Sequence, residues 1–228
     1  MTTTRTTMKA ADSAHSAHGI LRYTITERVN HWLGALFYVY VLLTGLAFWS
    51  PNLFWIATML GGGETSRYWH PWAGVLFAIS MAVMYSHWRQ DMRETEADRK
   101  WRASMGHYVR NEDQELPPVG RFNYGQKLFF WVMLWAVAAL LVSGFGLWNV
   151  DLIPWSLRWL RYAAVLVHVV AALITIGAFI IHVYMGTAMV RGGFSSIIRG
   201  VVTPAWARTH HRLWYEQQTG QSDARSHK

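Results

Sequence analysis

From Tyr162 to Met185 the chain runs 24 residues without a lysine, arginine, aspartate or glutamate. A helix of that length rises about 36 Å, enough to cross a bilayer hydrocarbon core of about 30 Å. Three further apolar blocks, at residues 31–49, 71–88 and 128–148, approach or reach spanning length. A helix of a soluble bundle keeps a polar face toward water, and these blocks show none. The expected fold is an all-α membrane protein, a bundle of four transmembrane helices. Hydrophobic residues make up 52% of the 228, yet the mean hydropathy is only +0.11, because apolar and charged residues are segregated into separate blocks. Tryptophans gather at the block edges, as in the aromatic belts of membrane interfaces.

The basic residues give an orientation. Four precede the first block (Arg5, Lys9, Arg22, Arg28), eight lie between the second and third, and six follow the fourth. The two opposite connections carry only Arg67, Arg158 and Arg161. By the positive-inside rule both termini are cytoplasmic. The net charge of +8 is therefore largely a topology signal beside membrane spans, and no nucleic-acid partner is expected. Residues 1–22 are read as a flexible N-terminal tail; they lack the apolar stretch of a secretory signal. Residues 23–190 form the membrane domain, within which residues 89–127 make a cytoplasmic connection. Its first part mixes seven acids with its bases and reads as a solvated helix, closed by Pro117, Pro118 and Gly120. Residues 191–228 are a basic cytoplasmic tail. Ser50-Pro51-Asn52, Gly61-Gly62-Gly63 and Pro154 mark the outer loops.

His168 and His182 lie fourteen residues apart in the last block. That places them within about 40° of one helix face and roughly 21 Å apart along the axis. Ionisable groups inside a membrane helix are costly and usually functional. The topology puts His70 and His168 near the outer surface, and His31 and His182 near the cytoplasmic one. Two pairs follow, His70 with His168 and His31 with His182, each able to hold one haem iron through both axial positions. The chain contains no cysteine, which excludes disulfides, thiolate-bound zinc or iron–sulfur clusters and covalently attached haem. The cofactors expected are thus two haems b. An iron with both axial positions filled has no open site for oxygen or substrate and suits electron transfer.

Each of these residues has a plainer reading. His31 or His70 alone is also an ordinary interfacial anchor. The small residues Ala171, Ala172, Thr175 and Ala178 beside His168 make either a groove for flat rings or a helix-packing seam. Phe179 on that face and Gly74, one turn after His70, fit both. His87 is read as interfacial. His15, His18, His107, His210, His211 and His227 are read as solvated. Arg28, Arg67 and Arg161 lie at depths suited to haem propionates. The partners that fix the ligand tautomers are not identifiable. A haem-free transporter or scaffold, and a stand-alone cytochrome b oxidising quinol or handling superoxide, are the rival classes.

Several segments carry a family resemblance: Arg28-Val29-Asn30-His31-Trp32, Trp69-His70-Pro71-Trp72-Ala73-Gly74, Arg121-Phe122-Asn123-Tyr124-Gly125-Gln126-Lys127, His168 through His182-Val183-Tyr184-Met185, and Trp206-Ala207-Arg208-Thr209-His210-His211-Arg212-Leu213-Trp214-Tyr215. From about Tyr23 to Gln217 the chain resembles the gamma (cytochrome b) subunit of membrane-bound respiratory formate dehydrogenase. Related cytochromes of nickel–iron hydrogenase and thiosulfate reductase share bis-histidine bundles; the Asn-x-Gly-Gln-Lys stretch and the His-His-Arg-x-Trp-Tyr segment favour the formate dehydrogenase branch. The resemblance implies a bacterial inner-membrane subunit that assembles with an iron–sulfur beta subunit and a molybdenum- or tungsten-containing alpha subunit, in a trimer of heterotrimers. It implies His70 and His168 on the outer haem, His31 and His182 on the cytoplasmic haem, and a site for menaquinone or ubiquinone at Asn123 and Gly125 with His182 beside them. From the residues alone, Asn123 and Gly125 read equally as a helix-entry turn. Some relatives carry an extra histidine where this chain has Gly177. Formate would be oxidised by the alpha subunit, this chain contributing electron transfer and quinone reduction.

Overall fold

The computed structural model describes residues 19–110, 112 and 116–220. Residues 1–18 of the expected flexible tail, with His15 and His18, lie outside them, as does His227. A short strand β1 (Ile20–Leu21) precedes helix α1 (Ile25–Trp49). A capping box starts α1: Thr24 Oγ1 accepts from the Glu27 N–H at 3.3 Å, and Glu27 Oε2 accepts from the Thr24 N–H at 2.8 Å. A 3₁₀ turn at Pro51–Leu53 leads into α2 (Phe54–Met59). Gly61 and Gly62, at φ 97° and 98°, then reverse the chain. Helix α3 (Gly63–Trp88) contains Pro71. A second capping box, Thr95 with Asp98, opens α4 (Glu96–Ala103), which α5 (Met105–Val109) follows. Helices α6 (Tyr124–Trp148) and α7 (Trp159–Tyr184) come next, α7 running on into a π turn at Met185–Met189. Then follow α8 (Gly193–Arg199), β2 (Val201–Val202), α9 (Pro204–His210) and α10 (Arg212–Thr219).

The four long helices end within a residue of the apolar blocks, but each begins earlier, by three to eight residues. The turns added to α1, α3 and α6 carry polar residues and are set by caps and loop glycines that hydropathy does not register. Three helices, α1, α6 and α7 with its π turn, are long and apolar enough to cross a membrane. Helix α3 is as long, but its first turns carry Glu64, Arg67 and His70. In the most apolar stretches of the three, only 11–28% of residues are buried within the protein, so their apolar side chains face outward. Leu36, Trp135, Val142, Leu166, Ile174 and Ile181 are all exposed. Exposed apolar surface on this scale suits lipid rather than water as the surroundings.

The chain forms two compact units. One comprises Val29–Arg89 and Phe129–His182, hence most of the long helices. Its core joins Tyr38 of α1, Phe77 and Met81 of α3, and Met133 and Val137 of α6, with Ala178 and Phe179 of α7 packed against them. Tight crossings need small residues: a Cβ on Gly34 would lie 2.5 Å from Ser80 Oγ.

The other unit holds the described parts of Met1–Arg28, Gln90–Leu128 and Val183–Lys228. Strand β1 pairs antiparallel with β2, Ile20 opposite Val202. Val202, Ala207, Trp214 and Tyr215 make its core, with Ile20 and Trp206 against them. Gly200 stands at φ 82°, where a Cβ would lie 2.7 Å from the Tyr23 carbonyl; glycine is required there. Arg22, placed by sequence at the end of the flexible tail, is 3% exposed. It donates from Nη2 to the Arg121 carbonyl at 3.1 Å and to His211 Nε2 at 2.9 Å. The guanidinium lies 5.2 Å, 5.0 Å and 5.3 Å from the rings of Tyr23, Trp206 and Trp214, within cation–π range. Within the segment read as a basic tail, the described residues form α8, β2, α9 and α10 and supply this core.

Candidate cofactor sites

Three helices, α1, α3 and α7, bring four imidazoles together in pairs within the helical unit. The ring centres of His70 and His168 are 6.4 Å apart, those of His31 and His182 6.2 Å. An imidazole nitrogen binds a transition metal at about 2.0–2.1 Å and lies about 1.2 Å from its ring centre, so two rings gripping one ion in line have centres about 6.4 Å apart. Both pairs have that spacing. Among the described residues no group of three or more histidine or carboxylate side chains is arranged to hold a metal. Two protein ligands are what an iron already held by four porphyrin nitrogens needs. The donor set therefore fits haem and does not fit a bare ion.

Two hydroxyl groups orient the His70–His168 pair. Thr44 of α1 donates to the Tyr40 carbonyl at 2.8 Å, so its oxygen is left to accept from His70 Nδ1 at 2.7 Å. Ser143 of α6 donates to the Ala139 carbonyl at 2.6 Å and accepts from His168 Nδ1 at 3.0 Å. With each Nδ1 proton so committed, each Nε2 keeps its lone pair for a metal. A glycine follows each hydroxyl residue: a Cβ on Gly45 would sit 3.6 Å from His70 Cε1, and one on Gly144 only 3.1 Å from His168 Cε1. The same dipeptide chemistry, hydroxyl then glycine, thus seats a ring from α1 and again from α6. Sequence reasoning missed Thr44 and Ser143. Their signal was two hydroxyl–glycine pairs late in otherwise apolar blocks. Thr44→Val with Ser143→Ala should leave the helices intact and weaken haem retention at this pair about 10–100-fold. Haem loss to apomyoglobin measures it; an unchanged release rate would refute the orienting role.

The other pair is seated differently. His182 stacks on Phe129, centres 4.5 Å apart and planes 10° apart. His31 meets Trp32 edge-on at 5.4 Å. His31 Nδ1 is buried and has no hydrogen-bond partner among the described residues. Phe179 packs on Tyr38 at 4.9 Å, and Tyr38 on Phe77 at 5.3 Å. Of the small residues beside His168, Ala171 and Thr175 are buried. A Cβ on Gly74 or Gly177 would meet nothing within 4 Å.

Asn123 and Gly125 lie in the other unit. Asn123 Oδ1 accepts from the Gln126 N–H at 2.9 Å, and Gln126 Oε1 accepts from the Asn123 N–H at 3.0 Å. This is a cap on α6, so the helix-entry reading of Asn123 describes its oxygen. A Cβ on Gly125 would make ordinary contacts, 3.4 Å to Asn123 Oδ1 and 3.5 Å to Trp101. Lys127, one turn on, donates to Asp98 Oδ2 at 2.6 Å and to the Arg93 carbonyl at 2.9 Å.

One histidine departs from expectation. His211, read as solvated, is 3% exposed. Its Nδ1 donates to the Gly120 carbonyl at 2.9 Å while Nε2 accepts from Arg22. Burial, then the Arg22 charge, holds its pKa well below the ordinary imidazole value, so it stands neutral in the tautomer these bonds require. A run of basic residues around it gave no local sign of burial. His107 is half exposed and pairs with Glu112 at 2.6 Å; His210 lies 4.9 Å from Trp206.

The family model described as prokaryotic cytochrome b561 matches residues 22–203. The formate dehydrogenase cytochrome b556(fdo) subunit of Escherichia coli K12 is 34% identical over 200 residues, 87% of this chain and 92% of that protein. The formate dehydrogenase cytochrome b556 subunit of Haemophilus influenzae is 30% identical, over 87% and 83% of the two chains. The nitrate-inducible cytochrome b556(Fdn) subunit of E. coli K12 is 28% identical, over 87% and 91%.

Proposed function

Because the chain belongs to the prokaryotic cytochrome b561 family, we propose that it is the membrane cytochrome b subunit of a formate dehydrogenase complex, taking electrons from an iron–sulfur subunit and delivering them to a quinone. The observation that carries this reading is the paired spacing of the four imidazoles, at 6.2 Å and 6.4 Å. Two haems b, when bound, supply one-electron carriers at two depths of the bilayer. His70 and His168 hold the outer one, and Thr44 and Ser143 keep their Nε2 atoms available. His31 and His182 hold the cytoplasmic one. Helix α3 is then a fourth span, both termini lie in the cytoplasm, and the membrane is the bacterial inner membrane.

The quinone, menaquinone or ubiquinone, is placed at the start of α6. The cap occupies the Asn123 oxygen, which leaves Nδ2 as the donor toward a quinone carbonyl. Nothing in the protein's own packing demands the missing Cβ of Gly125, which supports an approach by a ligand there. With electrons arriving from outside and quinone protons taken from the cytoplasm, each transfer separates charge, worth about 2.3 kcal/mol per elementary charge per 100 mV. The iron–sulfur and molybdenum- or tungsten-containing subunits, and a trimer of heterotrimers, complete the assembly.

Purification through a tag on this chain tests the reading. The expected result is copurification of an iron–sulfur subunit and a formate-oxidising subunit, with two haems b per chain by pyridine haemochrome. A colourless preparation, or copurification with hydrogenase or thiosulfate reductase subunits instead, would refute it.

A further inference from the structure

Between α1, α2 and α3 lies a pocket of about 640 Å³ lined by Ala47, Phe48, Pro51, Phe54 and Arg67. Arg67 precedes His70 by three residues, about 60° around the helix and about 4.5 Å along it, so both leave α3 on one side. The Phe48 wall meets the His70 ring edge-on, centres 5.5 Å apart. Phe54, also in the lining, packs so closely on Gly63 that a Cβ there would lie 2.9 Å from its ring. Apolar walls with one cation, adjoining a metal-ligating imidazole, match a ligand whose edge is apolar and ends in an acid.

Among the described residues no hydrogen bond, ion pair or ring contact engages Arg67. The other two arginines of these connections are committed. Arg161 donates to the Ile153 carbonyl and lies 6.0 Å from the Trp155 ring, where Arg158 also lies at 5.5 Å. We propose that Arg67 anchors a carboxylate of the tetrapyrrole held between His70 and His168. A guanidinium is suited to this, since it stays charged and grips a carboxylate through two parallel N–H bonds. The proposal rests on the axial-ligand reading of those two histidines.

Redox titration of the intact complex tests it, in a His182→Ala background that leaves one haem, with Arg67→Gln or Arg67→Lys added. Removing a positive charge near the iron favours the ferric state, so Arg67→Gln should shift the ferric-to-ferrous ratio at fixed potential about tenfold, a fall of about 59 mV for one electron. Arg67→Lys should keep at least half of that stabilisation. An unchanged midpoint in Arg67→Gln, or an equal fall in Arg67→Lys, would overturn the proposal. If Arg67→Gln binds no haem, retention by Arg67→Lys supports the anchor and equal loss overturns it. Loss of tightly bound phospholipid with an unmoved midpoint would assign Arg67 to a lipid headgroup and overturn it. A His182→Ala parent holding both haems, or neither, would refute the ligand pairing and the anchor with it.

Discussion

Replacing His182 with alanine is expected to remove one of two haems and to cut quinone reduction by at least about a hundredfold, while formate oxidation with an artificial acceptor is kept. The pair lies 6.2 Å apart, and among the described residues no group of three or more histidine or carboxylate side chains could take over a metal. An iron stripped of one axial imidazole is five-coordinate at best, and a haem that relies on ligation and packing alone then dissociates. The loss also unstacks Phe129 and opens a cavity, at a cost of about 1–3 kcal/mol, small enough for the unit to stay folded. His168→Ala should remove the other haem and spare this one. Haem content per chain and the resolved low-spin signals check both. Retention of two haems in either variant, or loss of both in each, would end the two-pair description.

The second large effect is on stability. Lys127→Met should destabilise the unit that contains it by about 3–5 kcal/mol, the usual cost of leaving a buried carboxylate without its partner. The side chains of Lys127 and Asp98 are 9% and 3% exposed, with Nζ and Oδ2 2.6 Å apart. Asp98 also accepts from the Thr95 N–H and hydroxyl, at 2.8 Å and 2.7 Å; these bonds hold the carboxylate in place and do not neutralise it. Adding Asp98→Asn should recover most of the loss. Limited proteolysis within residues 90–128 and thermal unfolding in detergent measure the cycle. A Lys127→Met protein within about 1 kcal/mol of the parent would show the pair to be dispensable.

The extent to which the molecule could be read from its residues followed the range of each signal. The apolar blocks and their four histidines are local patterns of length, period and depth, and the helices and the 6 Å pairings follow them. The Asn123–Gln126 cap is local too, and the helix-entry reading of Asn123 captured it. Thr44 and Ser143 escaped because a hydroxyl in an apolar helix satisfies itself on the preceding turn; that it also orients a ring on another helix is set by packing. Arg22 and His211 escaped for the opposite reason. The charge of Arg22 and the basic residues around His211 suggest solvent, and both side chains are buried by partners far away in sequence. The weak apolar character of α3 comes from its polar first turns, which carry Glu64, Arg67 and His70.

The bond from Arg22 to His211 joins residues 189 positions apart. Until His211 leaves the ribosome, Arg22 has neither that acceptor nor the Trp206 and Trp214 rings about it, and Gly120 has no imidazole to bind. Such long-range closure is slow and comes late, by which time all four long helices have been translated. The guanidinium and the two indoles therefore stay unsheltered through most of synthesis, and the core they share is the last to close.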